Sequence, residues 1–122
     1  MVNNQAKQLN QIFHALSDET RRKMLLLIAK KQCTVSDLAE PFTMSLPAIS
    51  KHVKVLEKAG LLHRTKEGRI HHCELNAEPL REAATVIKQL QQFWDNKFDA
   101  LAQFLEETTP KHTKHHLRSN RK

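Results

Sequence analysis

The stretch SLPAISKHVKVLEKAG, residues 45–60, repeats lysine at helical spacing. Ammonium groups neutralise phosphates and release their counterions, so a row of them on one helix face is suited to a nucleic acid. A second line of apolar residues has the same spacing, so one side of this helix would pack on a core while the other would meet an anion. The lysines are Lys51, Lys54 and Lys58, and the apolar residues are Ile49, Val53 and Leu56.

The lysine face has the shape and charge to enter the major groove of B-DNA, which admits one α-helix between two rows of phosphates. Short side chains in the first turn would let the backbone approach the DNA, and Lys51 and His52 are best placed to reach base edges or phosphates. An ordinary solvated face is the alternative, and on its own it is the commoner explanation of such a row. The predicted DNA-binding residues are Ser45, Pro47, Ala48, Ser50, Lys51, His52 and Lys54, with Lys66 and Arg69 in the segment that follows.

Charge is distributed unevenly along the 122 residues, whose formal net charge is +7. Residues 45–72 contain six Lys or Arg and two Glu, a local charge of +4, whereas residues 77–107 contain three basic and six acidic residues. The positive charge is therefore local to this middle segment and to the last twelve residues. This distribution favours an anionic partner.

Composition narrows the class of protein. The length suits one domain, and two glycines with abundant Leu, Ala, Lys and Gln favour helices. The chain has only two cysteines, no signal-peptide pattern and no apolar run long enough for a bilayer, so we expect a cytoplasmic protein without membrane contact. It also has no Gly-rich phosphate loop, nucleophile elbow or His-Glu-x-x-His motif, and we predict neither catalysis nor a cofactor.

Capping signals predict the helices that position the basic segment. Apolar spacing predicts a first helix over residues 4–16, and Ser17 or Asp18 caps a second one. Thr34 with Asp37 is a capping box for a short third helix. A basic helix begins about four residues after it, which is the helix-turn-helix arrangement.

The basic helix has its own boundaries and is followed by a change of period. Ser45 is its N-cap, Pro47 lies in its first turn and Gly60 follows its end. Beyond that glycine the apolar pattern alternates on both sides of Glu67-Gly68, which predicts a β-hairpin, the wing. We therefore predict a mainly α fold with a small β-hairpin, a winged helix-turn-helix.

A long helix of about residues 77–107 closes the predicted domain, 1–108, and 109–122 form a basic tail that we expect to be flexible. The long helix has an apolar stripe that contains Leu80, Ala84, Ile87, Leu90, Trp94, Phe98, Leu101 and Leu105. The rest of the domain is too small to cover so long a stripe, so we predict a homodimer, although packing on its own domain is the alternative. The predicted dimer interface contains Leu90, Phe93, Trp94, Phe98 and Leu101.

These elements together resemble the ArsR/SmtB family of winged-helix transcriptional repressors. The resemblance covers roughly residues 8–107 and implies a homodimer whose paired recognition helices, residues 46–59, bind a near-palindromic operator in double-stranded DNA. The matching stretches are FHALSDETRRKMLLLIAK, TVSDLAEPFTMSLPAISKHVKVLEKAGLL, RTKEGRIHHCEL and EPLREAATVIKQLQQFWDNKFDALAQFLEE.

The chain departs from this family at its metal sites. Many members bind soft metals through Cys-x-Cys at the start of the third helix, where this sequence has Thr34 and Ser36. Cys33 is a single thiol, better suited to a buried apolar position than to a metal. Other members bind zinc or nickel through Asp and His on the long helix, which here contains no histidine. We therefore predict no metal site.

Two alternatives stay open. The first is a metal- or redox-responsive sensor of the same fold that uses Cys33, Cys73 or the histidines of residues 112–116. The second is a winged-helix module that binds an acidic protein partner without specific DNA binding. The operator, the regulated genes, an inducer and the choice between repression and activation do not follow from the residues.

Overall fold

The computed structural model describes residues 4–108 of the chain. It divides into two compact units that part between Val86 and Ile87, within the last helix. The order of helices, hairpin and long final helix is the predicted one. The elements are α1 (Asn4–Leu16), α2 (Glu19–Lys30), β1 (Cys33–Thr34), α3 (Val35–Ala39), α4 (Leu46–Lys58), β2 (Leu62–Glu67), β3 (Ile70–Leu75) and α5 (Glu78–Thr108).

Side-chain caps begin the second and third helices where they were predicted. The Asp18 carboxylate accepts a hydrogen bond from the Arg21 backbone N–H at 3.1 Å, and this bond lowers the pKa of Asp18. At α3 the Thr34 hydroxyl accepts from the Asp37 N–H and the Asp37 carboxylate accepts from the Thr34 N–H, both at 3.0 Å. The capping box is therefore complete, and it satisfies two N–H groups that the short helix leaves without partners.

Two adjacent arginines join the end of α1 to the start of α2. Arg21 donates through Nε to the Ala15 carbonyl at 2.9 Å and through Nη2 to the His14 carbonyl at 3.1 Å. Arg22 donates through Nη1 to the Leu16 carbonyl at 2.8 Å. The last carbonyls of a helix have no partners within it, so these guanidinium groups supply partners for the last three carbonyls of α1.

The core of the first unit forms where α4 packs on the other elements. Ile49, Val53 and Leu56 are completely buried, as the spacing predicted. Each such side chain contributes about 2 kcal/mol of hydrophobic free energy when it leaves water. They are buried together with Ile12, Ala15, Met24, Leu25, Ile28, Leu38, Leu61, Leu62 and Cys73.

The start of α5 also contributes to this core. The helix buries Pro79 and Ala83, whereas Ala84, which was assigned to the apolar stripe, is exposed. Residues four apart lie on the same side of a helix, so the face that carries Pro79 and Ala83 is the one that packs.

The predicted hairpin is confirmed, with a turn one residue later than expected. Strands β2 and β3 pair antiparallel out to Glu67 opposite Ile70, so Gly68 and Arg69 form the turn. The φ angle of Gly68 is 65°, and a positive φ at the first turn position is typical of a type II′ hairpin. The third strand, β1, was not predicted because two residues carry no alternating pattern.

The two cysteines lie directly opposite each other in this sheet. Cys33 in β1 is the register partner of Cys73 in β3, and both are buried free thiols. Burial raises the pKa of both thiols, and the carboxylate of Asp37 raises that of Cys33 further. Both side chains are therefore neutral at physiological pH, so they pack as small apolar groups.

The raised pKa of Cys73 predicts a pH dependence of stability. An unfolded thiol ionises near pH 8.5, whereas the buried one keeps its proton to higher pH. Its contribution to stability is therefore complete below about pH 8.5 and is lost as pH rises through the folded-state pKa. In urea unfolding at increasing alkaline pH, we expect the free energy of unfolding to fall more steeply for the wild type than for Cys73→Ala. Parallel declines would contradict this.

Candidate nucleic-acid interface

The N-terminal end of α4 is fixed by its predicted cap. The Ser45 hydroxyl accepts a hydrogen bond from the Ala48 N–H at 3.3 Å. Pro47 lies in the first turn, where its missing N–H leaves no hydrogen bond unmade. The first turn therefore carries short side chains and a capped backbone. The Ser45 hydroxyl is already used as the acceptor of this cap.

The C-terminal end of α4 is a Schellman motif. The Gly60 N–H donates to the Glu57 carbonyl and the Leu61 N–H donates to the Leu56 carbonyl, both at 3.0 Å. Gly60 has a φ of 79°, which lets the chain leave the helix without side-chain strain. Leu61 is buried, so the motif directs the chain from α4 into the core and then into β2.

The exposed face of α4 carries the predicted cations. Lys51, Lys54 and Lys58 are all exposed, while the opposite face is buried. The structure places all seven predicted residues of this segment on α4 or at its cap. Of these, Ser45, Pro47, Lys51 and Lys54 are exposed, and Ala48, Ser50 and His52 are half-buried.

His52 has a partner outside α4, because its ring contacts the start of α2. Its Nδ1 lies 3.1 Å from Nη1 of Arg21 and 4.0 Å from Oδ2 of Asp18. Only the other ring nitrogen, Nε2, is therefore left for an external ligand. The contact with Arg21 joins residues 31 positions apart, and such long-range contacts leave no periodic signal in a sequence.

The wing presents two exposed cations and holds a third inside the structure. Lys66 near the end of β2 and Arg69 in the turn are exposed. Arg64 instead donates from Nη2 to Oε1 of Glu57 at 2.7 Å, and its Nη1 lies 3.4 Å from Nδ1 of His71. The Arg64 ion pair therefore joins α4 to β2 and holds the wing beside α4.

His71 and His72, which are neighbours in β3, have different partners. His71 contacts Arg64, whereas Nε2 of His72 lies 3.1 Å from Oε1 of Glu67. Successive residues of a strand point to opposite faces of the sheet, which accounts for the different partners. Glu67 also offsets part of the positive charge at the wing tip, beside Lys66.

The positions that the family resemblance relates to metal binding have other partners here. Thr34 uses its hydroxyl to cap α3, and the Cys33 thiol donates to the Lys31 carbonyl at 3.3 Å. Within residues 4–108, no three His, Cys, Asp or Glu side chains lie close enough together to hold a metal ion. The predicted basic tail with its histidines, residues 109–122, lies outside the described residues.

The second unit carries the apolar stripe of α5 on its surface. The five residues predicted for a dimer interface are each more than half exposed, namely Leu90, Phe93, Trp94, Phe98 and Leu101. Trp94 packs against both neighbouring aromatic rings, with ring centroids 5.9 Å from Phe93 and 6.1 Å from Phe98. Exposed apolar patches of this kind are typical of protein interfaces. No helix in the described part of the chain combines the length and apolar character of a membrane span.

A capped basic helix, the short helix before it and the hairpin after it define a winged helix-turn-helix domain. Residues 18–64 match the family described as "Bacterial regulatory protein, arsR family". The chain is 36% identical over 75 residues to the transcriptional repressor SdpR of Bacillus subtilis, covering 62% of this chain and 83% of that protein. It is 32% identical over 96 residues to the arsenical resistance operon repressor of Escherichia coli, covering 78% and 82%.

A solved structure is similar along most of the same region. The crystal structure of an ArsR-family transcriptional regulator superposes with a TM-score of 0.70 and 39% identity, over 74% of this chain and 93% of that one. The chain therefore belongs to the ArsR family. It is a DNA-binding transcriptional regulator and not an enzyme, and the predicted fold class is confirmed.

The positive φ of Gly68 makes the wing turn sensitive to substitution. A Cβ at this position would meet no atom within 4 Å, so the cost of Gly68→Ala is conformational strain alone. We expect a loss of about 1 kcal/mol in the free energy of unfolding, measured by urea denaturation. Lys66→Ala in the same hairpin is the control and should change it by less than about 0.5 kcal/mol. Equal losses of unfolding free energy for the two substitutions would contradict the positive φ of Gly68 in the wing turn.

Proposed function

We propose that the chain acts as a homodimer that represses transcription by binding a near-palindromic operator with α4 and the wing. The observation that carries this proposal is the division of α4 into a buried apolar face and an exposed lysine face. The similar proteins from B. subtilis and E. coli are both named repressors, which supports repression over activation.

The lysine face supplies the electrostatic part of binding. Lys51, Lys54 and Lys58 recur at intervals of three and four residues, so their ammonium groups lie along one side of the helix. A helix in the major groove has phosphates on both sides. Buried Ile49 and Val53 hold α4 in the core. The backbone positions of the three lysines are therefore already fixed before binding, which reduces the entropy lost when the DNA is bound.

The N-terminal turn and the wing supply the closest contacts. Ser45, Pro47, Ala48 and Ser50 have short side chains, so the backbone can approach the bases and phosphates there. Lys66 and Arg69 at the exposed wing tip bind phosphates or the adjacent minor groove. Arg64 contributes indirectly, because its ion pair with Glu57 fixes the hairpin relative to α4.

The homodimer accounts for the apolar surface of the second unit. Leu90, Phe93, Trp94, Phe98 and Leu101 would be buried against the same residues of a second copy, in a two-fold interface that is its own complement. Two-fold symmetry pairs the recognition helices, and a pair of identical helices requires a DNA site with two related halves. Aromatic residues at the centre of such an interface contribute most of its binding free energy.

Substitution of the helix lysines tests the DNA face. Each phosphate contact that is lost reduces the slope of log K against log salt by about one. We expect Lys51→Gln and Lys54→Gln each to show this reduction when binding to a random-sequence duplex is titrated by fluorescence anisotropy at several salt concentrations. Lys88→Gln on α5 is the control and should keep the wild-type slope. Unchanged slopes for both helix variants would rule out the proposed face.

A charge introduced into the apolar stripe tests the dimer. Phe98→Asp would bury a carboxylate in the interface, which is unfavourable without a partner. We expect this variant, and Trp94→Ala to a smaller degree, to sediment as a monomer at concentrations where the wild type is a dimer. Gln92→Asp adds the same charge on the opposite side of the helix from Trp94 and should remain a dimer. A dimeric Phe98→Asp protein would contradict the interface.

A further inference from the structure

The guanidinium group of Arg21 makes hydrogen bonds in three directions. The residue is only 8% exposed. Its Nε and Nη2 donate to the Ala15 and His14 carbonyls at the end of α1, and its Nη1 lies 3.1 Å from Nδ1 of His52 on α4. A buried arginine must have its donors satisfied, and the third partner here belongs to the recognition helix.

This contact determines where the hydrogen of the His52 ring lies. A guanidinium group has only donors, so Nδ1 must accept the hydrogen bond and cannot carry hydrogen itself. The carboxylate of Asp18 would favour the opposite state, in which Nδ1–H donates to it. Its Oδ2, however, is 4.0 Å from Nδ1, beyond hydrogen-bond distance, whereas Arg21 is within it. The contact with Arg21 is the shorter of the two, so Nδ1 carries no hydrogen.

We infer that Arg21 is a positioning residue for DNA binding: it fixes the His52 ring in the tautomer with hydrogen on Nε2, which leaves α4 a neutral donor for a DNA phosphate. The inference rests on the proposed function of α4. It adds Arg21, a residue outside α4, to the determinants of binding. It also assigns His52 the role of a hydrogen-bond donor to a DNA phosphate.

The geometry of the ring supports Nε2 as the donor to DNA. The two nitrogens lie on different edges of the imidazole, so a ring whose Nδ1 faces Arg21 directs Nε2 away from it. The His52 side chain is 19% exposed, enough for one contact from outside. His52 is also adjacent to Lys51, which is exposed and assigned to the same DNA face.

Two substitutions of His52 separate the two ring nitrogens. Gln places its amide near the position of Nε2, whereas Asn places its amide near that of Nδ1, where it can still accept from Arg21. We expect His52→Gln to bind a random-sequence duplex more tightly than His52→Asn but less tightly than the wild type, because its amide keeps the donor near Nε2 and has lost the contact with Arg21. His52→Asn should bind roughly tenfold more weakly, as for one lost hydrogen bond to a charged acceptor. Equal affinities of the two variants would overturn the inference.

The salt dependence distinguishes a neutral donor from a cation. A neutral N–H releases no counterion, so His52→Asn should lower the affinity while the slope of log K against log salt stays as in the wild type. Lys51→Gln is the matched comparison on the neighbouring residue and should lower the slope by about one. A reduced slope for His52→Asn would contradict the neutral state.

The tautomer can be read from the free protein without DNA. In ¹⁵N NMR of the histidine rings, with His52 assigned from its absence in His52→Gln, we expect hydrogen on Nε2 and none on Nδ1. In Arg21→Met, which removes the donor that faces Nδ1, hydrogen should appear on Nδ1, because the nearby Asp18 carboxylate attracts it electrostatically. If that variant does not fold, the wild-type spectrum still decides, because hydrogen on Nδ1 there would overturn the inference.

The outcomes separate this inference from the proposed function. If the wild type does not bind the duplex, the proposed function fails and the DNA contact of His52 fails with it, whatever the NMR spectrum shows. If the wild type binds with a salt slope that depends on Lys51, but His52→Asn binds as tightly as His52→Gln, the proposed function stands and only the inference fails.

Discussion

The buried guanidinium group of Arg21 is the constraint on which the arrangement of the first unit depends. A charge that is 8% exposed must be hydrogen-bonded, and its donors reach the end of α1 and a histidine of α4, while its own backbone N–H bonds the cap of α2. Three helices are therefore held in one arrangement by polar groups of fixed geometry. Apolar packing of Ile49, Val53 and Leu56 determines which face of α4 is buried, and this network adds a polar contact between α4 and the junction of α1 with α2.

The structure shows which basic residues of the middle segment are available to a phosphate, which the sequence alone does not. The middle segment contains six basic residues, but Arg64 is paired with Glu57 and serves the packing of the wing. The cations left on the surface are the three lysines of α4 and the two residues of the wing tip, Lys66 and Arg69. They lie on the two elements that the winged-helix fold places beside each other, so a modest net charge is concentrated where phosphates would be met.

Local signals predicted most of the fold, and long-range contacts account for what they missed. Caps such as Asp18 and Thr34, and the glycine that ends α4, act within a few residues, so the sequence displays them directly. The two-residue strand β1 exists only because β3 pairs with it, and the burial of Pro79 and Ala83 depends on how α5 enters the core. The role of Arg21 was not predicted, because its partner His52 lies 31 residues away.

The most direct test of the account is selection of genomic DNA fragments by the purified full-length protein at moderate salt with competitor DNA, followed by sequencing. A dimer with paired recognition helices predicts enrichment of an inverted repeat whose half-sites lie about one helical turn apart. Uniform, salt-sensitive retention of all fragments without a shared motif would contradict the account. It would show that the lysine face of α4 binds DNA only through charge, and would favour an acidic protein as the partner of this surface.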